Sequence, residues 1–425
     1  MRVLYDISTL GLAHLYQQSR GGAYRVDLHI SGGLAASEAC ELLFCANHSA
    51  VAYRGCEGFL RGRPDLAAIP LIAVAARGGH HAAVRTAASA AHRCLRRVVG
   101  SNVLPSAVRR AGRLIDRRLH PPVSDAAAPV DIFHSAPLAP LPETANRRRP
   151  KRFLTVYDLA FVKFPAIYGP AYRQSLAGGL RSLRADDHII TTSTFVRDEL
   201  AAEEIASPDR IHVVPLAADP AIFYRCDDPE RIAAVRRKYR VPEGPYVLGV
   251  NTPDLRKNVP HAVHAFARAW HDGHGALASL VLTGHPGPGS ERLHEAIAEH
   301  PDLRGRIILT GYVPDEDLAP LYTGAQVFVY NSIYEGFGLP PLEAMQCGAA
   351  VITSSTSSLP EVVRDGGVMV PPNDLDLLAG TMLEVATDTD RRHRLQERAL
   401  AQARRFTWER STAATLQAYR TALQA

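Results

Sequence analysis

Two carboxylates that share one glycine-rich loop are the residues whose spacing most clearly indicates chemistry. Glu335 and Glu343 are separated by seven residues, with Gly336 and Gly338 between them in the run Glu-Gly-Phe-Gly-Leu-Pro-Pro-Leu-Glu. The glycines allow a tight loop with exposed amides, and the prolines suit the first turn of a helix, whose N-terminus attracts a diphosphate. Two carboxylates there can accept hydrogen bonds from hydroxyl groups of a ribose and a sugar. The alternative is an ordinary helix N-terminus, where the helix dipole favours an acidic residue. That would explain one glutamate but not the glycines.

A pair of cations in another loop could act on the same diphosphate. Arg256 and Lys257 come shortly after the apolar run Tyr246–Val250. A departing diphosphate develops negative charge, and fixed positive groups beside it stabilise that charge. The alternative is a solvated pair of loop residues that binds no ligand.

Short apolar runs alternate with helical patterns, and these elements must position the two loops. The candidate strands are 3–8, 42–46, 69–75, 131–135, 153–157, 188–192 and 211–215 in the first half, and 246–250, 279–284, 307–311, 327–330, 350–354 and 367–370 in the second. Such strands separated by helices indicate parallel sheets buried on both faces, and two series indicate two Rossmann-like, doubly wound α/β domains. We predict an N-terminal domain over 1–220 and a C-terminal domain over 240–406. The site is then expected in the cleft between them, at the carboxyl ends of the strands.

The end of the chain has the pattern of an amphipathic helix over 407–425. Thr407 suits the N-cap, and Leu416, Tyr419 and Leu423 follow at helical spacing. An apolar helix face must pack against something, and we expect this helix to cross back onto the N-terminal domain.

Composition and charge limit the class of protein. The chain has 425 residues with 46% hydrophobic and 21% charged residues, which is typical of globular domains. The six cysteines form no CxxC pair, so neither zinc nor a disulfide framework is indicated. The first residues are typical of a strand rather than a signal peptide, and no apolar run is long enough to cross a membrane, so a cytoplasmic location is expected.

Charge patterning leaves one question open and answers two others. The basic residues of segment 77–118 are all arginines, which suits an anionic membrane surface or, equally, a solvated helix face. No aromatic residues interleave with basic ones in the way that nucleic-acid binding requires. The pattern Asp-x-Asp, which can hold a metal-bound donor, occurs at 315–317, 374–376 and 388–390. Each occurrence lies where a helix should begin, so we predict helix capping there and no metal site.

The glycine-rich loop resembles a known family signature. Residues 334–348, Tyr-Glu-Gly-Phe-Gly-Leu-Pro-Pro-Leu-Glu-Ala-Met-Gln-Cys-Gly, look like the signature of family 4 of the retaining GT-B-fold glycosyltransferases, the mannosyltransferase-like glycosyl transferases of group 1. Segments 350–354, 357–363 and 366–367 also fit, and the resemblance is dense from Tyr246 onward. It implies a GT-B fold, a nucleotide-diphosphate sugar as the donor, and no metal or other cofactor.

The resemblance also implies roles for residues of the second half. Glu343 would bind the ribose, Glu335 the hydroxyls of the transferred sugar, and Arg256 and Lys257 the diphosphate. Many relatives have an arginine where this chain has Asn251, which leaves open whether one or two cations act on the leaving group. Further donor contacts would come from Gly336, Phe337, Gly338, Leu339, Tyr312 and Val313, the last two through the backbone beside the base.

In the first half, the resemblance points to the cleft wall and to the residues Gly21, Gly22, Arg25, His134, Tyr157 and Asp158. The two glycines would lie against the donor phosphate or the acceptor, and the others on the acceptor or sugar side. Arg25 could instead be a helix-surface charge, His134 a buried structural histidine, and Asp158 a cap of the next segment. Relatives commonly have His-Asp where this chain has Tyr157-Asp158, which leaves the sugar open.

The function that the resemblance implies is retaining transfer of a hexose, with a mannose-like sugar favoured. The donor would be a GDP-sugar by preference, with UDP and dTDP as alternatives. The acceptor would be a glycan or a polyprenyl-diphosphate-linked sugar in cell-surface polysaccharide assembly, at the inner face of the plasma membrane if 77–118 binds lipid. The alternatives are a GT-B-type nucleotide-sugar epimerase and a non-catalytic nucleotide-sugar-binding protein. We identify no side-chain nucleophile and no general base.

Overall fold

The structure is a computed structural model that describes residues 1–16, 21–46, 50–72, 129–135, 150–250 and 253–425. Two sheets of parallel strands lie within this part of the chain. The strands are β1 Arg2–Asp6, β2 Glu41–Cys45, β3 Leu71–Ile72, β4 Ile132–Ser135, β5 Lys151–Thr155, β6 His188–Thr191, β7 Ile211–Val213, β8 Tyr246–Val250, β9 Ser279–Thr283, β10 Ile307–Gly311, β11 Val327–Tyr330, β12 Val351–Ser354 and β13 Gly367–Val370.

Helices connect these strands. The α-helices are α1 Ser8–Leu15, α2 Gly22–Ala35, α3 Ala50–Arg61, α4 Pro64–Ala67, α5 Ala160–Lys163, α6 Pro170–Arg181, α7 Thr194–Ala202, α8 Pro229–Lys238, α9 Val259–Asp272, α10 Ser290–Ala298, α11 Asp315–Gly324, α12 Leu339–Gln346, α13 Leu359–Val363, α14 Leu375–Thr387, α15 Thr389–Ala403 and α16 Trp408–Gln424. Short 3-10 helices cover Pro208–Arg210, Leu255–Lys257, Pro301–Leu303 and Arg364–Gly366.

Both sheets are doubly wound. The first has the order β3-β2-β1-β4-β5-β6-β7 and the second the order β10-β9-β8-β11-β12-β13. The order reverses next to β1 in one sheet and next to β8 in the other, and ligands of such sheets bind at these points. We call the part of the chain around the first sheet the first domain, and the part around the second sheet the second domain. The reversals lie between β1 and β4 and between β8 and β11, so the carboxyl ends of these strands flank the expected site, and β5 is the next strand beside β4.

The strands form because their residues are apolar on both faces. All four residues of β11 are buried, as are four of the five residues of β1. Each sheet has apolar residues packed on both sides, and one apolar cluster continues from the first domain into the second. Strand ends differ slightly from the prediction because pairing with neighbours sets them. The predicted strand 153–157 is found at Lys151–Thr155, where it pairs with β4, so Tyr157 and Asp158 lie in the following loop.

The last helix packs on the first domain. Thr407 is its N-cap, and its hydroxyl accepts a hydrogen bond from the Arg410 amide at 3.3 Å. The helix then contacts α2 and β6. A side chain on Gly33 of α2 would overlap the Thr412 hydroxyl, so the two helices approach closely. The Ser411 hydroxyl donates to the Pro215 carbonyl at 2.6 Å.

The three Asp-x-Asp segments behave differently from one another. Asp374 and Asp388 are N-caps, as predicted, since their side chains accept hydrogen bonds from backbone amides of the following helices. The prediction of capping is wrong at 315–317, because Pro314 is the N-cap of α11 and makes no side-chain capping bond. The acids there lie in the first turn instead, and Asp317 accepts hydrogen bonds from Lys238 and Tyr239.

Neither a metal-binding cluster nor a membrane-spanning helix is found among the residues that the structure describes. Among them, no group of three or more His, Cys, Asp or Glu side chains is placed to hold a metal ion. No helix in the same ranges combines the length and apolar character needed to cross a membrane. The arginine-rich segment 77–118 lies outside the described residues.

Candidate active site

Glu335 is the centre of a buried ionic cluster in the loop between β11 and α12. Its Oε1 accepts hydrogen bonds from Lys257 Nζ at 2.6 Å, from the Ser332 hydroxyl at 2.6 Å and from the Tyr330 hydroxyl at 2.9 Å. Its Oε2 accepts from Arg256 Nη1 at 3.0 Å. Both oxygens are thus held by donors from the loop after β8, from the last residue of β11 and from the loop that follows it, which fixes the orientation of the carboxylate.

Charges in this cluster compensate one another. Burial by itself would raise the pKa of Glu335, but Lys257 and Arg256 lower it to about 2. Burial also lowers the pKa of Lys257, an effect that the neighbouring Glu335 opposes. The carboxylate is therefore ionised at neutral pH. The side chains of Arg256 and Lys257 are 15% and 13% exposed, so they are not the solvated loop pair considered above.

A short 3-10 helix positions the two cations. Asp254 is its N-cap, and Oδ1 accepts hydrogen bonds from the amides of Arg256 at 3.0 Å and Lys257 at 3.1 Å. Asn258 ends it in the left-handed conformation, with φ of 53°, and its side-chain amide donates to the Pro372 carbonyl at 2.9 Å. The cations are therefore held by local capping rather than by a flexible loop.

The glycines of the loop are required by close packing. Gly338 has φ of 105° and is the N-cap of α12, and a side chain there would come within 2.6 Å of Leu359. A side chain on Gly336 would overlap the Tyr157 carbonyl of the first domain. The Gly336 carbonyl accepts hydrogen bonds from the hydroxyls of Thr192 at 2.9 Å and Ser193 at 2.7 Å. The loop thus packs against the first domain. The sequence explained the glycines only by the backbone amides that they leave exposed, and this close packing is a second reason for them.

Phe337, the residue between these glycines, contributes packing. It is buried, and its ring meets Phe406 edge to face with 5.8 Å between centroids. Its side chain therefore supports the loop from inside, while any donor contact would use its backbone.

Glu343 lies one turn into α12 and is paired with Arg25 of the first domain. Arg25 Nη1 is 3.3 Å from Glu343 Oε1, and the Tyr322 hydroxyl is 3.1 Å from Oε2. Arg25 Nη2 also donates to Asp315 at 2.6 Å, and the guanidinium lies over the Phe223 ring. Burial raises the pKa of Glu343, whereas Arg25 and Tyr322 oppose that rise. Arg25 is therefore not an ordinary helix-surface charge.

The first residues of two helices, α2 and α12, lie close together beside this pair. Gly21 is the N-cap of α2 and Gly22 its first residue. A side chain on Gly22 would come within 3.3 Å of Leu339, the first residue of α12, and space is open around Gly21. Each helix N-terminus carries partial positive charge, and two such ends together favour an anion between them.

The remaining first-domain candidates divide into two groups. His134 is buried, with 2.6 Å between Nδ1 and the Tyr419 hydroxyl and 2.7 Å between Nε2 and the Thr155 hydroxyl. Burial lowers the pKa of His134 to about 3, so it is neutral, and this favours the structural interpretation. Asp158 accepts a hydrogen bond from the Ala160 amide at 2.9 Å, as a cap would.

Asp158 also belongs to the electrostatic surroundings of the ionic cluster. Burial raises the pKa of Asp158, Arg256 opposes that rise, and Glu335 adds to it. Tyr157 precedes it, with its hydroxyl 3.4 Å from Asp27 of α2. These two loop residues therefore connect the first domain to the cluster around Glu335.

Two candidates lie apart from the cluster, and one is not described. Tyr312 is 59% exposed and stacks on His285 with 4.9 Å between ring centroids. Val313 is buried beside it. Asn251 lies outside the described residues, so its predicted role stays a prediction.

Sequence reasoning missed the partners that complete the site. They are Tyr330 and Ser332 on Glu335, Tyr322 on Glu343, and Asp315 on Arg25. A polar residue at a buried strand end, such as Tyr330, was a usable signal. Glu361 was also missed, although it accepts hydrogen bonds from the backbone amide of Thr194 at the start of α7 and thereby joins the two domains.

Comparison with known proteins finds similar sequences. A family model described as Glycosyl transferases group 1 matches residues 232–402. The O-antigen chain mannosyltransferase B of Escherichia coli is 35% identical over 295 residues, which cover 68% of this chain and 74% of that relative. The serotype-specific mannosyltransferase WbdA of Escherichia coli is 28% identical over 255 residues, which cover 60% of this chain but only 31% of WbdA.

Two solved structures superimpose on almost the whole chain. Sucrose-phosphate synthase from Thermosynechococcus elongatus has a TM-score of 0.64 at 20% identity, and the match covers 99% of this chain and 98% of the synthase chain. WaaG, a glycosyltransferase involved in lipopolysaccharide biosynthesis, has a TM-score of 0.57 at 15% identity, and the match covers 98% of this chain and 99% of the WaaG chain. At these identities the likeness shows the fold alone. The prediction of the GT-B fold, with two parallel-sheet domains, is confirmed.

Proposed function

Because this chain belongs to the family Glycosyl transferases group 1, we propose that it transfers a hexose, preferably mannose, to a growing cell-surface glycan. The prediction of this family is confirmed, and its members take the sugar from a nucleotide-sugar donor. We propose a GDP-sugar as the donor here and a glycan or lipid-linked glycan as the acceptor. The names of two relatives, an O-antigen chain mannosyltransferase and a serotype-specific mannosyltransferase, support mannose as the sugar and a glycan as the acceptor.

The observation that carries the proposal is the arrangement of positive groups around Gly22 and Leu339. The first residues of α2 and α12 lie close together there, and a helix N-terminus offers backbone amides and partial positive charge. Glu343 lies one turn away, where its carboxylate can accept hydrogen bonds from the two hydroxyls of a ribose. A nucleoside diphosphate satisfies both features, since its phosphates and its ribose are adjacent.

The ionic cluster then supports the chemical step. Glu335 would accept hydrogen bonds from the hydroxyls of the transferred sugar, and Lys257 and Arg256 would stabilise negative charge on the departing diphosphate. The bond between the anomeric carbon and the diphosphate oxygen breaks as the acceptor oxygen bonds to the carbon on the same face. The acceptor proton passes to the leaving phosphate oxygen, so the anomeric configuration is retained without an enzymic nucleophile, general base or metal.

Two other functions fit a nucleotide-sugar site less well. A GT-B-type epimerase needs acid and base groups on the sugar, and His134 is held by Tyr419 and Thr155 in the interior. A non-catalytic binder would have no use for the cluster of Glu335, Lys257 and Arg256. The relatives named above are transferases, which supports the proposed reaction over both alternatives.

We further propose that transfer takes place at a membrane surface, through the arginine-rich segment 77–118. Clustered basic residues are attracted to anionic lipid. Flotation of the full chain with phosphatidylglycerol vesicles at low salt tests this, and absence from the lipid fraction at every salt concentration would exclude it.

A thermal-shift panel tests the donor site. GDP, UDP, dTDP and their common sugar conjugates are added with EDTA to wild type, to Glu343→Ala, and to the exposed-helix control Glu295→Ala. A ligand that binds only the folded state raises the melting temperature by mass action. We expect one nucleotide to stabilise wild type and the control but not Glu343→Ala. Stabilisation that requires a divalent metal, or none with any nucleotide, would contradict the proposal.

A further inference from the structure

A cavity of about 120 Å³ opens in the first domain at the carboxyl end of β5. This volume is several times the roughly 10–15 Å³ that one water needs, so the cavity can hold more than a single water. Its lining combines aromatic and aliphatic side chains with a few polar ones. The lining residues are Thr9, Ala23, Leu154, Thr155, Val156, Tyr157, Asp158, Phe161, Tyr168, Tyr172, Leu176 and Leu180.

The aromatic wall suits the apolar face of a sugar ring. The rings of Tyr168 and Tyr172 are stacked, 5.7 Å apart between centroids and 12° from parallel. Tyr172 is 47% exposed, which leaves part of a large hydrophobic side chain in contact with solvent. A flat ring presents an apolar surface that can cover the C–H groups of a pyranose, and its hydroxyl remains free to bond at the edge.

Polar residues also line the cavity. Asp158, Tyr157, Thr155 and Thr9 belong to its lining, and the Tyr157 hydroxyl is 3.4 Å from Asp27. A carboxylate accepts hydrogen bonds from sugar hydroxyls, and a protein hydroxyl can both donate hydrogen bonds to them and accept hydrogen bonds from them. A few polar groups in an otherwise apolar cleft fix the orientation of a ligand.

The cavity adjoins the proposed reaction centre. A side chain on Gly336 would overlap the Tyr157 carbonyl and come within 2.8 Å of Asp158 Cβ. The charge of Arg256, which is bound to Glu335, acts to lower the pKa of both Asp158 and Tyr168. A ring in the cavity would therefore lie beside the loop that holds the transferred sugar.

The charge of the lining limits the ligand. Among the described residues that line the cavity there is no Lys, Arg or His, and Asp158 is acidic. A phosphate or carboxylate placed here would lose water, would meet the acidic Asp158 and would find no cation in the lining, since Arg256 lies outside the lining and is bound to Glu335. The lining therefore favours an uncharged ligand.

We propose that this cavity binds a neutral pyranose ring of the acceptor glycan, stacked on Tyr172 and hydrogen-bonded to Asp158, and that it excludes phosphorylated acceptors. The inference rests on the proposed function, because it assigns the acceptor subsite of that reaction. It defines the substrate class as the uncharged sugar end of a glycan chain.

Saturation-transfer NMR on the full chain tests the inference, with and without GDP. The probes are methyl α-D-mannopyranoside, the corresponding glucoside and galactoside, and mannose 6-phosphate. We expect signals from at least one neutral glycoside and none from mannose 6-phosphate at equal concentration. Tyr172→Ala should reduce the signal at least fivefold and Tyr172→Phe should retain it. Val162→Ala, an exposed apolar residue outside the cavity, should match wild type.

Other results distinguish this inference from the proposed function. Stronger binding of mannose 6-phosphate, or an unchanged glycoside signal in Tyr172→Ala, would overturn the acceptor assignment while the nucleotide-dependent thermal shift remained. If Tyr172→Ala instead raised the KM for the nucleotide sugar and left that for the acceptor unchanged, the cavity would belong to the donor. Loss of nucleotide binding in wild type would contradict the proposed function itself.

Discussion

Arg25 of the first domain donates a hydrogen bond to Glu343 of the second, with 3.3 Å between Nη1 and Oε1, although the residues are 318 positions apart. The same guanidinium binds Asp315, so one cation joins two acids across the domain boundary. Glu343 is the carboxylate proposed to bind the ribose. A nucleotide must therefore share Glu343 with Arg25 or displace it, and Arg25 would then lie close to the phosphates.

The first prediction concerns the energy of this pair. Arg25→Ala and Glu343→Ala should each lower the free energy of unfolding, but the double variant should lose about 1 kcal/mol less than their sum, because contacting residues couple. Urea unfolding of the four proteins measures the coupling. The exposed pair Arg197 and Asp198 is the control, and its coupling should be close to zero. Additive effects at Arg25 and Glu343 would mean that the contact contributes no stability.

Sequence patterns predicted the strands and helices of this fold better than they predicted the contacts between distant parts of the chain. Apolar runs give the strands because both faces of each parallel sheet are buried, and β8, β10, β11 and β13 begin and end where predicted. Glu335 and Lys257 could be singled out because glycine, proline and charge patterns are local. The Arg25–Glu343 contact could not be predicted, since it depends on how the two domains pack together.

The close approach of Gly336 to Tyr157 shows the same limit. A glycine in a loop signals either an unusual φ angle or a nearby backbone, and the sequence does not say which. Similarly, Asp158 reads as a helix cap from its local context. Its nearness to Arg256 and Glu335 follows only from the docked arrangement of the domains.

The second prediction separates sugar contacts from nucleotide contacts. Glu335→Gln should lower kcat by about 10²–10³-fold, because it removes a fixed charge at the reacting sugar. The thermal shift with the nucleotide alone should persist, since Glu343 still binds the ribose. Breaking a buried ion pair also destabilises the fold, so far-UV circular dichroism must accompany the assay. Tyr330→Phe, which removes one hydrogen bond to Glu335, provides a milder variant that should lower kcat without unfolding the protein.

If Glu335→Gln abolished the nucleotide shift and kept a folded spectrum, the assignment of Glu335 to the sugar would be wrong. Glu295→Gln, on the exposed face of α10, should leave both measurements unchanged.

The third prediction concerns pH. Burial raises the pKa of Asp27 to about 7, although hydrogen bonds from Thr9, Tyr5 and Tyr157 oppose the rise. A carboxyl whose pKa is higher in the folded state than in the unfolded state stabilises the fold below about pH 4, and this stability is lost as the pH rises through 7. Asp27→Asn should therefore raise the free energy of unfolding by about 2–4 kcal/mol at pH 8.5.

The gain from Asp27→Asn should shrink steadily towards pH 4, which urea unfolding at several pH values can follow. Asp186→Asn, at an exposed position, should show no such trend. A gain that is independent of pH would show that the charge of Asp27 is not the cause.

The last prediction tests how the loop of Glu335 is held. In Gly336→Ala the new methyl group would overlap the Tyr157 carbonyl and come within 2.8 Å of Asp158 Cβ, and neither atom lies at the end of a flexible side chain. The loop must therefore shift, which weakens the hydrogen bonds from Thr192 and Ser193 and moves the adjacent Glu335. A displacement of about 1 Å in a catalytic group lowers activity roughly 10²-fold, so a loss of that size in kcat is expected. Gly380→Ala in α14 is the matched control, because space is open around it and alanine favours a helix interior, so kcat should be unchanged and the melting temperature equal or higher. If Gly336→Ala kept wild-type kcat, the two domains would not need this close approach during the reaction.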